Sequence, residues 1–135
     1  MLSIFEKLNL KEQREIVVLN APVSFEGALR TLRHVRILRR MAAVRELTFA
    51  LTFVIQQIEL DKLSKAITAK AAGDALLWFA YPKSASRRYT CEFNRDKGWD
   101  VLLKSGFDCV RQIAIDEDWS ALRFRRTEFI NHRAR

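Results

Sequence analysis

Three stretches of this chain are apolar without alternation: Glu15-Ile16-Val17-Val18-Leu19, Leu47-Thr48-Phe49-Ala50-Leu51-Thr52-Phe53-Val54-Ile55 and Ala75-Leu76-Leu77-Trp78-Phe79-Ala80-Tyr81. A strand with one wet face alternates apolar and polar residues. A continuous run instead reads as a strand covered on both faces, as in a parallel sheet. Parallel neighbours need a crossover of a dozen or more residues, usually a helix. Between the second and third runs, Leu60, Leu63, Ile67 and Ala71 recur at helical spacing. The chain therefore predicts an α/β fold, with helices against both faces of one sheet.

The other elements follow from their punctuation. Residues 3–9 predict a short opening helix with Ile4, Phe5 and Leu8 on one face. Asn20-Ala21-Pro22 ends the first run, and Ser24 fits a helix N-cap ahead of Phe25, Ala28, Leu29 and Leu32. Arg30 to Arg45 admits two readings. Val35, Leu38 and Met41 continue the helix, or Val35-Arg36-Ile37-Leu38 forms a short second strand; the β-branched residues favour the strand. Gly73 stands where a helix C-cap glycine belongs, and Asp74 opens the third run, which Pro82 stops. Asn94 is expected to cap a helix carrying Trp99, Leu102 and Leu103 and ending at Gly106. Cys109 to Asp116 and Trp119 to Phe129 read as strands joined at Asp116-Glu117-Asp118 into an antiparallel hairpin, with Leu122 and Phe124 facing one way and Arg123 and Arg125 the other.

A chain of 135 residues is enough for one core and too short for two. The expectation is a single domain over residues 1–135: a three-layer Rossmann-like sandwich with a mostly parallel sheet and a C-terminal antiparallel hairpin. The rhythm of elements looks like the methyltransferase variant of that sheet, shortened by one strand–helix unit. The phrases Leu19-Asn20-Ala21-Pro22, Leu77-Trp78-Phe79-Ala80-Tyr81-Pro82-Lys83, Asn94-Arg95-Asp96-Lys97-Gly98-Trp99 and the stretch from Val110 to Arg125 also resemble a family of small uncharacterised bacterial proteins. That resemblance implies a fold and a bacterial origin rather than an activity.

In a methyltransferase-like sheet the cofactor lies against a glycine-rich turn after the first strand, because glycine alone lets the backbone come so close. Here the turn is Asn20-Ala21-Pro22-Val23-Ser24, and Gly27 falls inside the following helix. An acid should hold the ribose hydroxyls at the end of the second strand, yet that strand runs into Arg39-Arg40. With two requirements missing, the leading expectation is a non-catalytic ligand- or partner-binding domain with a degenerate cofactor site and no cofactor. Ligands of such sheets bind beyond the carboxyl ends of the strands. This rule gathers Asn20 and Pro22 as a shaped turn, Gln56-Gln57, the anion contacts Lys83, Ser84, Arg87 and Arg88, and an opposing wall of Asp116, Glu117 and Asp118. It holds if the Cys109 strand runs parallel to the central ones. The plain alternative for the three acids is an Asx-type turn with ion pairs to Arg123 or Arg111.

Two other readings stay open. One is an S-adenosylmethionine-dependent enzyme with an unusual cofactor loop. The other is a basic nucleic-acid or phosphate binder, since the net charge is +8. Two arginine groups would serve it: Arg30, Arg33, Arg36, Arg39, Arg40 and Arg45, and then Lys83, Arg87, Arg88 and Arg95 with Tyr89 and Trp99. Lys83, Ser84 and Ser86 do not make a nucleophilic site, for there is no nucleophile elbow and His132 sits in the tail. Cys91, Cys109, His34 and His132 lack metal-ligand spacing, so no metal is expected. Both thiols are expected free, with Cys109 a small strand hydrophobe. The longest apolar run, Leu47 to Ile55, is too short for a bilayer, and Met1-Leu2-Ser3-Ile4-Phe5-Glu6-Lys7 is not a signal peptide. The expected location is the cytoplasm, without membrane attachment.

Overall fold

The three apolar runs form the middle of one sheet. The computed structural model describes residues 3–130, and His132 lies outside them. The elements are α1 (Ile4–Lys7), β1 (Glu15–Leu19), α2 (Val23–Leu29), β2 (Arg36–Leu38), β3 (Leu47–Phe53), α3 (Gln57–Lys70), β4 (Ala71–Pro82), α4 (Asp100–Lys104), β5 (Phe107–Ala114) and β6 (Trp119–Arg126). The strand order is β2-β1-β3-β4-β6-β5. The first four strands are parallel, and β6 runs antiparallel to both β4 and β5. Being antiparallel to an antiparallel neighbour, β5 points the same way as β4, which meets the condition on the Cys109 strand.

Alternate residues of each run face opposite layers. Val17, Ala50, Leu77, Phe79 and Phe124 pack on one side with Leu60 and Ile67 of α3 and Leu102 of α4. Ile16, Val18, Phe49, Leu51 and Trp78 pack on the other with Phe5, Leu8, Phe25 and Leu29 from α1, α2 and their loop. Burial on both faces is why these strands carry no alternation. The order β2-β1-β3-β4 matches 2-1-4-5 of the doubly wound order 3-2-1-4-5, without the strand outside β2. Residues 39–46 replace that missing unit with a single 3₁₀ turn, Met41–Ala43.

Several boundaries differ from expectation. Pro22, not Ser24, is the N-cap of α2, with extended backbone (φ −69°, ψ 157°) and no side-chain cap; proline's fixed φ suits that corner. Gly73 does not cap α3. The helix ends at Lys70 and passes through extended Ala71 straight into β4, while Gly73 takes φ +53° beside the register shift between Leu47 and Phe49. The Arg126 guanidinium donates to the Gly73 and Ala71 carbonyls at 2.7 and 2.9 Å and holds this irregular start. Asn94 caps no helix: its side chain accepts from the Asp96 and Lys97 amides at 2.8 and 3.0 Å. α4 starts later, from Trp99. β5 begins at Phe107, and β6 ends at Arg126 before a 3₁₀ turn over Thr127–Phe129. Cys109 is exposed on the edge strand rather than packed. Among the described residues, no helix is long and apolar enough to cross a membrane.

Candidate functional site

The strand order reverses between β1 and β3, so their carboxyl ends define the switch point where a doubly wound sheet opens its crevice. Asn20 bridges that point. Its backbone adopts φ +60°, a left-handed conformation that asparagine tolerates better than most residues. The tight turn is thus kept without a glycine. Its side-chain amide donates to the Phe53 carbonyl at the end of β3 and to Glu59 Oε2 of α3, both at 3.2 Å. Beneath this bridge runs a ladder of rings: Phe5–Phe25, Phe25–Phe53, Phe53–Trp119 and Trp119–Tyr89, with centroids 5.0–5.8 Å apart. Pro22 starts α2, a helix of seven residues. An acid does stand near the end of β2, but it comes from α2. Both oxygens of Glu26 are taken by Arg39 at 2.8 and 2.9 Å, and that contact holds the Glu26 carboxyl below its ordinary pKa.

A cleft of about 650 Å³ lies further along the same edge, beyond β4, β5 and β6. Its floor is Tyr81, Gln112 and Ser120 from those three strands. The Gln112 amide donates to the Tyr81 hydroxyl at 3.4 Å and to Ser120 Oγ at 3.3 Å. Burial pushes the Tyr81 phenol above its ordinary pKa, so it stays protonated at neutral pH. Lys83 and Arg95 stand on the rim, and neither side chain has a hydrogen-bonding or ion-pair partner among the described residues. Cys91 lines the wall, and burial pushes its thiol up, away from the thiolate a nucleophile needs. The cleft thus offers neutral hydrogen-bonding groups below a rim of mixed charge: the cations Lys83, Arg95 and Lys97 and the carboxylates Glu92 and Asp96.

The loop that builds this rim is fastened at several points. The Gln57 backbone N–H donates to Glu92 Oε1 at 2.9 Å, and the Gln57 amide donates to the Gly98 carbonyl at 2.8 Å. Gly98 has φ +108°, and a Cβ there would sit 2.7 Å from both Gln57 Oε1 and Phe93 Cβ. At its start, the Lys83 N–H donates to the Asp118 carbonyl at 2.8 Å and the Ser86 hydroxyl to Asp118 Oδ1 at 2.9 Å.

The residues expected to form a site divide accordingly. Lys83 and Ser84 line the cleft. Arg87 is exposed beside it, and Arg88 reaches Asp118 at 3.8 Å. Asp116 makes an Asx turn, accepting from the Asp118 and Trp119 amides at 2.8 and 2.9 Å, and Glu117 points to solvent. The ion partner of the acidic turn is Arg88, not Arg123 or Arg111. Asn20 and Pro22 share the sheet edge but do not line the cleft. Trp99 is buried in the core and unavailable for stacking, while Tyr89 packs on Trp119. Sequence reasoning missed Gln112 and Ser120 as cleft residues; their signal was the hairpin register, which sets both beside Tyr81. The first arginine group splits between the two ends of edge strand β2. Its carboxyl-end members Arg39 and Arg40 stand about 14 Å from β4 at ordinary strand spacing.

The fold has clear relatives among solved structures. A SAM-dependent methyltransferase from Aquifex aeolicus aligns over 91% of this chain and 87% of its own, with TM-score 0.63 and 12% identity. A putative type 11 methyltransferase from Sulfolobus solfataricus aligns over 98% and 93%, with TM-score 0.56 and 10% identity. The N-methyltransferase NodS from Bradyrhizobium japonicum WM9 aligns over 83% and 73%, with TM-score 0.53 and 14% identity. No family model matches the chain, and no curated protein matches it in sequence. At such identities the likeness defines the fold: a shortened, methyltransferase-like Rossmann domain, as the order of elements had suggested.

Proposed function

We propose that this is a non-catalytic ligand-binding domain on a methyltransferase-like frame, with its cofactor crevice closed and a small anionic ligand taken in the cleft. The observation that carries the reading is the Asn20 amide, which spans the ends of β1 and β3 where a cofactor would enter. Among the cleft residues the cations Lys83, Arg95 and Lys97 outnumber the carboxylates of Glu92 and Asp96, and Glu92 already accepts from the Gln57 N–H; this balance supports the choice of an anion. The proposed setting is the bacterial cytoplasm, where unpaired cysteines such as Cys91 and Cys109 stay reduced. Calorimetric titration with pyrophosphate tests the cleft. Saturable binding lost in the Lys83→Glu/Arg95→Glu double variant supports it; binding indifferent to both changes removes it.

A second reading, an S-adenosylmethionine-dependent enzyme, is favoured by the structural relatives, whose descriptions name methyltransferases. Measurable heat with the cofactor or its demethylated product would establish it over the first.

A further inference from the structure

Away from the cleft, the β5–β6 hairpin leaves part of the sheet bare. Residues 108–112 of β5 are all exposed. Side chains two apart on a strand share a face, so Arg123 and Arg125 lie on the side of Trp119 and Ala121, the layer covered elsewhere by α1 and α2. Arg111 pairs directly with Arg123 across the β5–β6 register. Like charges placed so oppose folding. The nearby acids do not relieve them. Asp74 is bound to Arg125 through two hydrogen bonds of 2.8 and 2.6 Å. Asp108, opposite Arg125, turns its carboxylate onto the Cys109 N–H at 2.9 Å. Arg123 Nε is buried and has no hydrogen-bond partner among the described residues, a costly condition for a charged donor. Burial and the Arg125 and Arg111 charges push the Arg123 guanidinium below its ordinary pKa, with Asp74 pulling the other way.

We propose that a phosphate group binds on this open face between Arg111 and Arg123. Each guanidinium is a planar fork that matches two oxygens of a tetrahedral phosphate. Two forks on adjacent strands enclose one such group and answer both charges. The phosphate can come from a free phosphate or phosphomonoester, or from the phosphodiester backbone of a nucleic acid. The site is separate from the cleft, none of whose lining residues is Arg111 or Arg123.

Arginine Nε–H resonances read this directly, with inorganic phosphate added at constant ionic strength and, in a second arm, a short single-stranded RNA of mixed sequence. A saturable shift of Arg111 and Arg123 with inorganic phosphate assigns the site to small phosphates. A shift with the RNA alone assigns it to a phosphodiester, and binding should then weaken steeply with salt. Exposed Arg111 permits a variant that keeps the fold: Arg111→Gln should weaken either ligand at least tenfold, while Arg45→Gln, at a distant exposed arginine, should not. In phosphate-free buffer Arg111→Gln should also raise Tm, because it removes the opposed charge. The proposal is overturned if neither probe moves these resonances, or if Arg111→Gln binds as tightly as the unaltered protein.

Discussion

Asn20 does two tasks at one position, and substitution can separate them. Alanine at φ +60° carries the left-handed backbone cost of about 1–2 kcal/mol and also loses the amide bridge, worth about 1 kcal/mol. Glycine keeps the turn and loses only the bridge. Urea denaturation should therefore rank Asn20→Ala below Asn20→Gly, with both below the unaltered protein. Equal losses in the two variants would mean the left-handed turn carries no weight. A second residue-scale test concerns Asp74, whose carboxyl the Arg125 guanidinium holds below its ordinary pKa. A carboxyl with a lowered folded pKa contributes stability that is fully present above the unfolded value. That stability is lost as pH falls through the folded value. Stability should be flat in this respect from pH 7 to 5 and fall below about pH 4, with a shallower fall in Asp74→Asn. Cys91 reads the opposite sign. Its raised pKa keeps the thiol protonated, so it should alkylate with iodoacetamide at pH 8 more slowly than a free thiol.

At the scale of elements, the rim loop and α3 stand or fall together. Gly98→Ala would drive a Cβ into Gln57 and Phe93, so it should lower stability and weaken pyrophosphate binding in the cleft. Thermal melts and calorimetry on the same variant check both. On α3, fully buried Leu60 and exposed Ile58 share one helix. Leu60→Ala should cost about 2–5 kcal/mol, and Ile58→Lys should stay within about 0.5 kcal/mol. The helix and strand cores were legible in the sequence because burial on one or two faces writes its period into the residues. The ends were less so. Ser24, Gly73 and Asn94 carry correct local chemistry, but Pro22, the Arg126 clamp and the Asx turn decide where the chain bends. Lys83 and Ser84 were legible as residues of the cleft edge because a strand-end loop must lie beyond the carboxyl ends of the strands. Gln112 and Ser120 were not, because their place beside Tyr81 depends on the long-range register of β4, β6 and β5.

For the whole molecule, the sheet order sets where a ligand can go. Loss of the strand outside β2 leaves residues 39–46 to make the crossover, and Arg39 takes up the acid that reaches that edge. The switch point between β1 and β3 is bridged by Asn20 and backed by packed rings, while an open cleft lies beyond β4–β6–β5. The methyltransferase-like fold is therefore present, and the proposed function has its cofactor crevice closed. Calorimetric titration with S-adenosylmethionine and with its demethylated product tests this most directly. No heat is expected from either with the unaltered protein; saturable binding of either to it, weakened by changes at the ends of β1 and β3, would contradict a closed crevice.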